Sequence, residues 1–224
     1  MPTTDSKSDH RLLIADLSKM TLYALKPRFQ GLLRPLVAWL AANGGTANQV
    51  TVAAAVGSVA VACIVIWFAE LRAIFLLLPL WLLIRMALNA IDGMLAREFG
   101  QQSRLGAYLN EICDVISDAA LYAPFAMVVP FELAGIGLVI FLAALSEFAG
   151  VLGPMVGASR RYDGPMGKSD RALVFGALGF WVGIGAPLPA WLGWLMALIS
   201  LLLVITIVNR VRSGLAEAKG QQPC

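Results

Sequence analysis

Histidine occurs once in this 224-residue chain, cysteine three times, and charged residues of both signs make up only 14% of it. Each shortage narrows the reading. The single His10 stands in a polar, loose amino-terminal stretch and is expected to be inert. Cys63, Cys113 and Cys224 form neither an even set nor a C-x-x-C pair, so no disulfide framework follows from them. Cys63 and Cys113 lie in apolar runs, where cysteine packs as a small hydrophobe, and the helix-wheel position of Cys113 turns it away from neighbouring carboxylates. An internal repeat is also missing, which weighs against the inverted-repeat transporter architectures. The first residues are polar and contain no apolar core, so no cleavable signal peptide is expected.

What fills the chain instead is hydrophobic sequence, 59% of all residues, with a mean hydropathy of +0.77. That excludes an ordinary soluble domain and predicts an all-α, polytopic membrane protein of one domain. Six near-charge-free stretches of about 20 residues are read as transmembrane helices: Val50 to Phe68, Ala73 to Arg97, Leu105 to Val129, Leu133 to Ala158, Ala172 to Ala186 and Ala190 to Val208. The fifth is closed early by Pro187 and Pro189 and weakened by Gly176, Gly179, Gly183 and Gly185. Ahead of the first span, residues 17–43 mix basic side chains with Leu, Phe, Tyr and Trp. They predict an amphipathic interfacial helix interrupted at Pro27 and Pro35, either an anchor or a lid over a lipid site. Residues 1–16 are expected to be flexible, 17–212 to form the membrane domain and 213–224 a tail.

Lys and Arg are unevenly placed. Lys7, Arg11, Lys19, Lys26, Arg28 and Arg34 precede the first span; Arg97 and Arg104 follow the second; Arg160, Arg161, Lys168 and Arg171 follow the fourth; Arg210, Arg212 and Lys219 follow the sixth. The other connections hold only Arg72. The positive-inside rule then puts both termini in the cytoplasm. The net charge of +3 is read as this topology signal, and no nucleic-acid partner follows from it. Spacings such as Gly153 with Gly157 and Gly179 with Gly183 suit close helix contact, within the chain or in a homodimer.

Against this background Asn89 to Asp118 is anomalous, with three aspartates, two glutamates, two asparagines and two arginines in an apolar setting. Ionisable groups at such depth mark function by default. On a helix Asn89, Asp92, Gly93 and Ala96 share an arc of roughly 100°, and Arg85 extends the stripe by one turn. Asn110, Asp114 and Asp118 follow at successive i, i+4 steps, with Glu111 about 20° from Asp118 on the wheel. Facing carboxylates in low dielectric need cations between them, and a ligand set of oxygens alone points to Mg²⁺ or Mn²⁺.

The same run resembles the signature of the CDP-alcohol phosphatidyltransferase family, D-x-x-D-G-x-x-A-R, eight residues, then G-x-x-x-D-x-x-x-D. Asp92, Gly93, Ala96, Arg97, Gly106 and Asp114 fall on it in register, whereas Asn89 and Asn110 stand where the first and third aspartates belong. The Thr46-Ala47-Asn48-Gln49-Val50-Thr51 entry to the first span is similar to the family's T-P-N-x-x-T, with Ala47 in place of proline. The resemblance implies an inner-membrane transferase of phospholipid biosynthesis. It would move a phosphatidyl group from a CDP-linked lipid, CDP-diacylglycerol above all, to an alcohol, phosphorylated or not, and release CMP. It implies metal ligation by the positions of Asn89, Asp92, Asn110 and Asp114, with one or two Mg²⁺ or Mn²⁺. Nucleotide contacts fall to Asp92, Gly93, Ala96, Arg97 and Gly106, and the general base to Asp114. Each asparagine supplies one fewer negative charge, which leaves three readings: a site rebuilt with Glu111 or Asp118, a one-metal enzyme, or a weakened relative.

Two further features need a place. Arg160, Lys168 and Arg171 flank turn glycines between spans four and five. They form either an anion cradle for a substrate phosphate or a topology signal. Glu147 and Arg85 lie about 15 and 18 Å from the cytoplasmic ends of their spans at 1.5 Å per residue, a depth match that permits an ion pair; recognition of the acceptor hydroxyls is the alternative. Other function classes remain beside the transferase, a cation-coupled transporter and a non-catalytic lipid-binding relative.

Overall fold

The computed structural model describes residues 29–220. Among them there is no strand. The helices are α1 through residues 29–42, α2 (Ala47–Trp67), α3 (Leu77–Glu98), α4 (Arg104–Tyr122), α5 (Leu133–Val151), α6 (Lys168–Gly183) and α7 (Leu192–Gly220), with 3₁₀ turns at Arg72–Leu76, Ala123–Met127 and Gly153–Val156. Four segments, Ala47–Trp67, Arg72–Glu98, Leu133–Val151 and Leu192–Gly220, are long and apolar enough to cross a membrane. No more than 39% of the most apolar stretch of any of them is buried inside the protein. Their remaining surface, with Leu83, Phe141, Leu201 and Trp194 exposed, is what lipid would cover. This is a polytopic helical membrane protein.

Helix boundaries follow local chemistry. Thr46 caps α2 in a reciprocal box, its hydroxyl accepting from the Gln49 N–H (3.2 Å) while Gln49 Oε1 accepts from the Thr46 N–H (2.9 Å). Ser103 caps α4 by accepting from the Gly106 N–H (2.9 Å). The third expected span ends earlier as an α-helix than the hydropathy suggests, at Tyr122, because Pro124 has no N–H to continue it and the chain tightens into a 3₁₀ turn. The fourth likewise stops at Val151, before Gly153-Pro154 and the left-handed Gly157 (φ 84°). Pro35, expected to interrupt the amino-terminal segment, sits inside continuous helix. α7 extends the sixth expected span to Gly220, so residues 213–220 are helical. The expectations for residues 1–28, including Pro27 and His10, and for Cys224 lie outside the described residues.

Lipid is as apolar as leucine, so packing in such a bundle depends on close contact and on buried polar groups. Helix α2 packs on α3 and α4, α3 on α6, and α5 on α4 and α7. An aromatic knot holds the deep end: Tyr122 stacks on Phe175 (3.8 Å), and Phe125 meets Phe75, Phe131 and Phe175 edge-on. Gly179 and Gly183 are consumed within the chain: a Cβ at Gly179 would lie 3.1 Å from Leu78 Cβ, and one at Gly183 would lie 2.9 Å from the Leu76 backbone. At the other end, α1 rests Val37 on Ile91, Met94 and Leu95 of α3, and Arg34 pairs with Glu98 (3.2 Å).

Candidate active site

A polar cavity of about 430 Å³ opens where the carboxyl end of α3 meets the amino ends of α2 and α4. Helix α3 contributes Asp92, Gly93, Ala96 and Arg97, one stripe at helical spacing. Helix α4 contributes Gly106, Asn110 and Glu111, and Arg160 reaches in from the α5–α6 connection. Asp92 is buried and its Oδ2 accepts from the Thr51 hydroxyl of α2 (2.8 Å). Gln101 fixes the mouth, accepting from the Ala47 N–H (2.7 Å) and donating to the Gly45 carbonyl (3.2 Å).

The glycines of the motif are explained by their neighbours. A Cβ at Gly93 would fall 2.8 Å from the Arg97 guanidinium folded back one turn, and one at Gly106 would fall 2.7 Å from Asn48 Oδ1. With Arg97 and Asn48 placed as they are, the space a side chain would need at each position is taken by their polar ends. Arg97 is exposed on this wall and has no carboxylate partner among the described residues.

One turn deeper the character changes to a network of ion pairs. Asp114 Oδ1 takes Lys168 Nζ (2.5 Å) and Arg85 Nη2 (3.1 Å). Asp118 is held on both oxygens, Oδ1 by Arg85 (2.5 Å) and Oδ2 by Arg171 (2.8 Å). Arg171 also donates to Glu147 (2.9 Å), which Arg210 approaches at 3.4 Å. Arg210 further donates to the Ser146 carbonyl, and Arg160 pairs with Glu111. Arg171, Arg210 and Arg85 are 1, 2 and 3% exposed, so these pairs form where a lone charge would cost several kcal/mol.

The sequence-predicted residues thus separate into two groups. Asp92, Gly93, Ala96, Arg97, Gly106, Asn110, Glu111 and Arg160 line the cavity together. Asn89 lies one turn before Asp92, partly buried and off the lining; Asp114 sits just beneath it, with Lys168. Asp118, expected as a replacement metal ligand, is instead the anion between two arginines, both its oxygens facing guanidinium groups. Arg171, expected in a surface cradle, is a buried bridge from Asp118 to Glu147. The expected Arg85–Glu147 pair does not form: α3 packs on α2 and α6, α5 on α4 and α7, and each residue finds other partners. Sequence reading missed Thr51 as the partner of Asp92 and Arg210 as a buried base. Arg210 carried no local signal beyond the topology bias.

Between the α5–α6 connection and the last turns of α7, Arg161 chelates Asp163 (2.9 and 3.1 Å) and reaches Glu217 (2.5 Å), while the Ser159 N–H and hydroxyl both donate to Glu217 (2.9 Å each). The Arg161 hydrogen bonds hold the Asp163 carboxyl below the usual carboxylate range, and those from Ser159, with Arg161, hold Glu217 below it.

The sequence profile of the CDP-alcohol phosphatidyltransferase family matches residues 45–208. The chain belongs to that family. The class that membership carries is a membrane transferase of phospholipid synthesis. Among relatives, the inner membrane protein YnbA of Escherichia coli (strain K12) is 49% identical over 199 residues, 88% of this chain and 97% of its own length. The fold is shared with Mycobacterium tuberculosis phosphatidylinositol phosphate synthase (PgsA1). With CDP-DAG bound that structure superposes with a TM-score of 0.68 at 23% identity, covering 85% of this chain and 96% of its own. In complex with manganese and citrate it gives 0.68 at 23%, covering 85 and 92%.

The family implies a divalent metal. Among the described residues no three acidic, histidine or cysteine side chains gather on one point. Of the acids around the cavity and the network beneath it, Asp92 alone lacks a cationic partner among those residues. The donor set therefore fits one hard cation at Asp92, with amide oxygens beside it, and does not fit a four-carboxylate pair site.

Proposed function

We propose that the chain transfers a phosphatidyl group from CDP-diacylglycerol to an alcohol, releasing CMP, at the cytoplasmic face of the inner membrane. One observation carries the reading: the matched residues Asp92, Gly93, Ala96, Arg97 and Gly106, drawn from two helices, wall a single polar cavity. Asp92 would hold Mg²⁺ or Mn²⁺, with the amide oxygen of Asn110, on the same cavity wall, as a neutral donor. The ion supplies charge neutralisation to the pyrophosphate. Arg97 and Arg160 would pair with the phosphate oxygens from opposite walls. The acceptor's hydroxyl oxygen bonds to the lipid-side phosphorus as the phosphorus–oxygen bond to CMP breaks. Its proton passes to Asp114, the carboxylate next to the cavity, which Arg85 and Lys168 hold in place through Oδ1.

The topology proposed with this site has α2 to α7 spanning the membrane, α1 at the cytoplasmic interface and both termini inside. The clustering of Lys168, Arg160 and Arg97 at one end of the bundle supports it. The test is CMP release by the purified protein given CDP-diacylglycerol, Mg²⁺ or Mn²⁺ and a panel of alcohols with and without phosphate. Release that depends on one acceptor class supports transfer and names the acceptor; CDP-diacylglycerol binding with no release from any pairing makes this a non-catalytic relative.

A further inference from the structure

The two asparagines of the signature and the ion pairs beneath the cavity raise one question together: what replaces the missing charge? Rebuilding with Glu111 or Asp118 is answered by geometry, since Arg160 holds the first and Arg85 with Arg171 hold the second. Asp114 already carries an ammonium, Lys168 Nζ at 2.5 Å. Lys168 is the first residue of α6, and its backbone position is fixed by the Gly167 N–H donating to Asp170 (2.9 Å).

We infer that this site takes a single divalent ion, on Asp92, and that the Lys168 ammonium stands in the second cation position against Asp114. The inference rests on the phosphatidyl-transfer reading for its substrate, but its test does not need turnover. Mn²⁺ is titrated into the full chain in nanodiscs and counted by electron paramagnetic resonance. Wild type should bind about one ion per chain with an uncoupled signal, and Asp92→Asn should bind none. Asn89→Asp, Asn110→Asp and Lys168→Gln combined should bind about two, with the spin coupling of ions about 4 Å apart. Two coupled ions in wild type, an ion that survives Asp92→Asn, or no ion at all overturns the single-site inference; a well-folded triple variant that stays at one overturns the role of Lys168. CMP release measured on the same wild-type sample keeps the two readings apart. Turnover with two ions removes only this inference, whereas one ion without turnover removes only the reaction.

Discussion

Asp92 and Asp114 are adjacent in the site yet differ in kind, one with a hydroxyl partner and one with two cations. Asp114→Asn keeps the shape and the pairing oxygen but cannot take a proton. CMP release should fall about 10²- to 10⁴-fold with little change in CDP-lipid affinity, the range for loss of a general base. Turnover within threefold of wild type would remove Asp114 from that role. Arg171 belongs to a different test, because it is buried with Asp118 and Glu147. Arg171→Met leaves both carboxylates a partner short and should cost about 3–5 kcal/mol of stability, read as a lowered thermal midpoint in detergent. An unchanged midpoint would show that the network is not structural. The first pair was legible in the sequence because each aspartate belongs to a short pattern on one helix face, Asp92 to D-G-x-x-A-R on α3 and Asp114 to the run that starts at Gly106 on α4. It misplaced Arg171 and Asp118, whose partners depend on which helices become neighbours.

At the scale of elements, helix positions were legible from hydropathy while their ends were not, and four of the six expected spans are long and apolar enough to cross a membrane. Pro124 and Gly153-Pro154 convert helix to 3₁₀ turns without lowering hydrophobicity. Pro35 acts the other way, tolerated inside α1. The α3–α6 contact depends on bare glycine, and Gly179→Leu should destabilise the protein by about 1–3 kcal/mol through overpacking against Leu78 and Pro79. Gly137→Ala, with open space around its position, serves as the control and should be neutral or slightly stabilising. Equal effects of the two substitutions would mean that Gly179 does not set the helix separation.

For the whole molecule, the connection between α5 and α6 is held by the end of α7. Asp163 and Glu217 both titrate below the ordinary range. The stabilisation they provide is therefore complete above the unfolded carboxylate values, near pH 4, and is lost as pH falls through their lowered folded values. Hydrogen exchange at the Ser159 amide, corrected for its intrinsic rate, should accelerate across that acid range and stay flat from pH 6 to 8. Acceleration already at pH 6 would exclude these two carboxylates as the cause. Hydropathy could not show this clasp, since Glu217 lies past the apolar part of α7 and was expected in a tail.

The clasp also ties two distant parts of the chain into one mechanical unit. At 1.5 Å per residue the 29 residues of α7 measure about 43 Å, against a hydrocarbon core of about 30 Å. On the proposed topology the surplus is a rod that stands off the bilayer and, through Glu217, braces the loop bearing Arg160. Shortening the rod before Glu217 would leave every membrane crossing in place and still slacken one wall of the cavity, so the defect would surface as weaker donor capture with insertion intact. A bulky fusion at that end would load the same lever.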